Sequence, residues 1–132
     1  MSSFSVQRGE TAGDFVVQVA IINRNPQPVR VQAGAAPDRR GLIRLAVAVM
    51  PATPSPTPPT FAVVASAARS PLLLDGNRTA ELTFAGRVGC RTAAVNLDTW
   101  DIMVDDVAKT VELPDIGDVT ESVERSARPC PE

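Results

Sequence analysis

The sequence predicts an all-β fold, an antiparallel sandwich of about seven to nine short strands with a short helix near the C-terminus. Three observations lead there. Apolar residues recur at every second position in most patterned segments, as in Phe15, Val17, Val19 and Ile21, which is the spacing of a half-buried strand. Clusters of Pro, Gly, Asn and Asp punctuate those segments at short intervals. No fixed-period repeat is visible, and 132 residues are too few for two ordinary hydrophobic cores. The expectation is therefore one sandwich domain over 1–132, with a proline-rich loop at 51–60 and a C-terminal tail at 115–132.

The elements follow in chain order. Phe15 to Asn23 alternates as a strand, and Asn23-Arg24-Asn25-Pro26-Gln27-Pro28 supplies turn chemistry before Val29, Val31 and Ala33. These two segments read as an antiparallel pair. Leu42 to Met50 is a strongly apolar strand with Ile43, Leu45, Val47 and Val49 on one side. Pro51 to Thr60 holds five prolines in ten residues, which removes amide donors and favours an exposed polyproline-like connection. Phe61 to Ala67 reads as a further apolar strand, closed by Ser70-Pro71 ahead of Leu72-Leu73-Leu74. Asp75-Gly76-Asn77 is a turn, and Arg78 to Phe84 resumes alternation through Ala80, Leu82 and Phe84. Thr92 to Leu97 and Thr99 to Val104 follow, the latter with Trp100, Ile102 and Val104 on one face. Val104-Asp105-Asp106-Val107-Ala108 reverses the chain into Lys109 to Leu113, a hairpin pattern. The one helical pattern expected lies between Asp115 and Ala127, where Asp118 can cap, Glu121 sits at the capping-box offset, and Val119 and Val123 are i, i+4.

Composition narrows the function. A net charge of −2 and a pI near 5.1 give no broad cationic surface, which argues against nucleic acid as a partner. Histidine and tyrosine are absent, so most proton-transfer constellations lose their usual member. No stretch approaches the roughly 20 apolar residues of a membrane-spanning helix, and no membrane span is expected. Met1 to Ser5 lack the basic and apolar segments of a secretory signal. As written, the chain would stay cytoplasmic unless a signal or anchor once preceded it.

Cys90 and Cys130 have no CxxC spacing and no histidine nearby to complete a zinc site. Their simplest joint use is a disulfide, worth about 4 kcal/mol by loop entropy, which would imply an oxidising compartment. Two free thiols in a reducing one is the alternative.

Asp98, Asp101, Asp105 and Asp106 form the densest acidic group. Clustered carboxylates suit calcium, yet the spacing fits no EF-hand, and solvated turn and strand-edge acids account for it. No metal is therefore expected, these four being the weak candidates; no cofactor is expected either. The same acids would have to serve a carboxylate-dependent hydrolase, and no catalytic residue is assigned. Binding contributions are expected from Arg39 and Arg40 in a charged turn and from Pro54, Pro56 and Pro58. Lys109, the sole lysine, paired with Asn96 would offer the residue types of an isopeptide bond, which needs burial and a neighbouring acid.

The run Asp14-Phe15-Val16-Val17 through Asn23-Arg24-Asn25-Pro26-Gln27-Pro28-Val29-Arg30-Val31 resembles the opening strands of immunoglobulin-like sandwich modules. Arg87-Val88-Gly89-Cys90, then Val111-Glu112-Leu113-Pro114, a short helical segment and Cys130, is similar to small β-sandwich domains of secreted or membrane-anchored actinobacterial proteins. The resemblance implies a Cys90–Cys130 bond, an extracytoplasmic setting and a binding or spacing role. It transfers no functional residue, and Cys130 departs from the immunoglobulin pattern by following the presumed last strand.

The resulting expectation is a noncatalytic extracytoplasmic module that recognises a protein or a cell-envelope polymer, or spaces a larger assembly. An intracellular or virion assembly subunit is the alternative, with the hydrolase weaker. Oligomeric state is left open.

Overall fold

The structure, a computed structural model, describes residues 4–8, 13–33, 42–51, 59–90, 92, 95, 99–113 and 120. Two antiparallel four-stranded sheets face each other. The first has the order β1-β2-β6-β4, built from β1 (Phe4–Arg8), β2 (Asp14–Ile22), β4 (Arg44–Pro51) and β6 (Thr79–Arg87). The second has the order β5-β3-β7-β8, built from β3 (Val29–Ala33), β5 (Leu72–Leu74), β7 (Thr99–Val104) and β8 (Val107–Glu112). A helix, α1 (Phe61–Ala67), links β4 to β5. The all-β sandwich that alternation predicts is thus the observed class.

Alternation fills the space between the sheets. Phe15, Val17 and Val19 of β2, Val47 and Val49 of β4, and Ala80, Leu82 and Phe84 of β6 face Val29, Val31, Leu74, Trp100 and Ile102 of the other sheet. At the centre the Trp100 indole meets the Phe84 ring edge-on, centroids 5.1 Å apart, a geometry that matches the positive edge of one ring to the negative face of the other. Because β6 and β7 belong to different sheets, that contact joins the layers.

Three expectations are corrected. Phe61 to Ala67 is a helix and not a strand. Thr60 caps it, its hydroxyl accepting from the Val63 amide at 3.3 Å, and Phe61, Val64, Ala65 and Ala68 recur at i, i+3, i+4 and i+7. This face covers Val16, Ala46, Ala48 and Ala85 on the outer side of the first sheet. Second, β2 and β3 do not pair. Both edges of β2 are taken, by β1 and β6, so β3 crosses to the opposite layer and pairs with β5 and β7. Third, the N-terminal strand β1, absent from the pattern reading, extends the first sheet. The helix expected over 115–127 and most of the strand expected over 92–97 lie outside the described residues. Among the described residues no helix is long and apolar enough to cross a membrane.

The outer face of the first sheet ends in a charged row. Register sets Asp14 opposite Arg87, and Arg87 opposite Arg44, so two guanidiniums would stand side by side without compensation. The nearly buried Asp14 carboxylate accepts from Arg87 Nε at 2.9 Å and from Arg44 at 3.2 Å. Arg44 also lies 4.0 Å over the Phe61 ring, a cation–π contact that seats the start of α1.

Candidate functional site

The sandwich opens where β2 leaves the first sheet and β3 enters the second. A cleft of about 440 Å³ lies there, between the end of β2, the start of β3 and the inner faces of β7 and β8. Its walls are Ile21, Val29, Val31, Leu74, Ile102 and Val104. These positions are inward because alternation along each strand puts them on the core face; Val29, Val31, Leu74 and Ile102 form the buried floor, and Ile21 and Val104 are half-buried nearer the opening.

One side of the mouth is fixed by a buried asparagine. Asn23 Nδ2 donates to the carbonyls of Gln27, Leu74 and Asp75 at 2.9–3.2 Å, and its Oδ1 accepts from the Asn25 amide at 2.9 Å. The backbone repeats the link, with Asn77 N donating to Asn23 O at 2.7 Å and Asn23 N to Arg78 O at 3.0 Å. Gly76 makes this interlock sterically feasible, since a Cβ there would stand 2.4 Å from the Pro26 carbonyl oxygen. The 23–28 and 75–78 loops are therefore one hydrogen-bonded unit, and the mouth is largely set before any ligand arrives.

The other side is β8, the terminal strand of its sheet. Lys109 pairs with Ile102, so its side chain shares the inward face with an apolar neighbour and lines the cleft. Arg24 contributes a second cation from the loop. Alternation held the signal for Lys109: it shares a strand face with Val107 and the half-buried Val111, where a charge is out of pattern.

The structure separates the acidic residues. Asp101 points outward from β7, its Oδ1 accepting from Thr110 Oγ1 at 2.6 Å. Asp105 and Asp106 form the two-residue turn of the β7–β8 hairpin, with φ of 49° and 67°, the left-handed conformation such tight turns require. Asp105 also ties that turn to β3: its carboxylate accepts from Arg30 N at 2.9 Å, and its amide donates to Arg30 O at 2.8 Å. Four strand residues put Asp101 on the order of 13 Å from Asp105 along the chain. Among the described residues no group of three or more His, Cys, Asp or Glu is placed to hold a metal. Asp98, Arg39, Arg40, Pro54, Pro56 and Pro58 lie outside the described residues. Lys109 is exposed, without the burial an isopeptide needs, and Asn96 is not described.

Cys90 follows β6 and is not a free thiol; it takes part in a disulfide. Cys130 lies outside the described residues.

No family model, no curated protein and no solved structure matches this chain.

Proposed function

We propose that the chain is a noncatalytic, extracytoplasmic immunoglobulin-like module that recognises a protein or a cell-envelope polymer at one end of its sandwich. The observation that carries this reading is the cleft with its fixed mouth, beside β8, the last strand of its sheet among the described residues. A prebuilt concave surface flanked by a terminal strand suits recognition, because an extended partner can add to the edge while its side chains enter the cleft.

Strand order supports the immunoglobulin-like part. Adjacent β1, β2 and β6 correspond to strands A, B and E, and adjacent β3, β7 and β8 to C, F and G. The departure is that β4, beside β6, precedes β5, beside β3; the immunoglobulin order has the strand beside C first. The extracytoplasmic part rests on the disulfide at Cys90, for which Cys130 is the proposed partner.

Two measurements test the reading. Mass spectrometry after thiol alkylation should find neither cysteine modified before reduction and both after it; two thiols alkylated at once would favour the intracellular assembly subunit. Co-sedimentation with isolated actinobacterial cell envelope should retain the full chain saturably, and no retention would contradict envelope binding.

A further inference from the structure

We propose that the cleft at the β2–β8 end binds a free fatty acid, its acyl chain between the sheets and its carboxylate toward Lys109 and Arg24. The inference deepens the binding reading and rests on it for the claim that this end of the molecule is the recognition surface.

The lining chemistry selects the ligand. Apart from Asn23, Asn25 and the two cations, every described residue lining the cleft is aliphatic. Among the described residues no aromatic ring lines it, so a nucleobase or sugar face would find nothing to stack on there. No described aspartate or glutamate lines it either, although acids outnumber bases by 15 to 13 in the chain. An amine would therefore meet only like charge. Among the described residues, neither the Lys109 nor the Arg24 side chain has an ion-pair or hydrogen-bond partner, and both stand at the same opening. Aliphatic walls with two uncommitted cations at the rim complement a hydrocarbon that ends in an anion.

Size selects among such molecules. About 440 Å³ is near the low end of the roughly 300–1,000 Å³ of small-ligand pockets, which suits one acyl chain and not the two of a diacyl lipid. The Asn23 interlock holds the mouth, so little ordering cost opposes binding. A lysine on an exposed strand also favours solubility, a role indifferent to whether the ligand carries a charge.

That difference makes the test. The full chain is titrated calorimetrically with dodecanoate and with dodecanol, both below their aggregation concentrations. Dodecanoate should bind saturably at one site, and dodecanol at least about ten-fold more weakly, for want of charge-assisted hydrogen bonds. Lys109→Met combined with Arg24→Gln should bring dodecanoate down to the level at which the same variant binds dodecanol. The proposal is overturned if dodecanoate does not saturate, if dodecanol binds equally well to the unaltered chain, or if the double variant holds dodecanoate undiminished. Flotation of the chain with phosphatidylglycerol vesicles in place of dodecanoate binding would also overturn it. A chain that sediments with cell envelope yet ignores dodecanoate loses this inference alone, whereas failure of both removes the recognition surface itself.

Discussion

Asn23 is the residue on which the open end of the sandwich depends most. Its amide faces three carbonyl oxygens and its oxygen faces one amide, so replacement leaves several buried or half-buried groups without partners. Each such group costs about 1–3 kcal/mol. Asn23→Ala should therefore lower unfolding free energy by about 2–3 kcal/mol in urea melts. Asn23→Asp should do no better, because a carboxylate can only accept and would confront the same carbonyls. Asp14 answers a different need. Its carboxylate is 8% exposed and lies between arginines that are 33% and 27% exposed. Asp14→Asn removes the charge that lets Arg44 and Arg87 stand opposite each other. The expected loss is on the order of 2 kcal/mol, less than the about 3–5 of a fully buried pair, because both guanidiniums keep some water. Added salt should shrink that loss by screening the arginine repulsion; a loss insensitive to salt would show that packing, and not charge, is what Asp14 supplies.

Elements in this chain were legible in proportion to how strictly they alternate. β2, β4, β6 and β7 each present their inward residues as sequence spacing predicts, and the β7–β8 hairpin follows from its Asp-Asp turn. The helix was misread because a short apolar run between turn signals suits a buried strand as well as a one-faced helix. The distinguishing features were present: a Thr60 cap, an alanine-rich run, and apolar residues at i, i+3, i+4 and i+7. The β2–β3 pairing was misread for another reason. Hairpins are inferred from local turn chemistry, whereas the partner of a strand is decided by which edges are already occupied, and β1 and β6 occupy both edges of β2. The cleft was invisible for the same cause, since it exists only where the chain changes layer. A seven-residue helix has little stability of its own, so α1 relies on its cap and on Val64, which is fully buried. Thr60→Ala should cost about 1 kcal/mol and Thr60→Ser little. Val64→Ala should cost more than Thr60→Ala, read as a larger drop in melting temperature. Equal tolerance of all three would mean that α1 is not docked.

At the scale of the whole molecule, two layers share one aliphatic core, with the Phe84–Trp100 contact near its centre, and one end is left open. The cleft depends on the layer change at Asn23: were β2 and β3 neighbours in one sheet, no cleft would exist and Lys109 would have nothing to line. Nuclear Overhauser contacts in the folded chain read that change directly. The account predicts backbone contacts from β2 to β6 across Val17 and Phe84, backbone contacts from β3 to β7 across Val31 and Val104, and side-chain contacts between the Phe84 ring and the Trp100 indole. A ladder of backbone contacts joining β2 to β3 as a hairpin would contradict it.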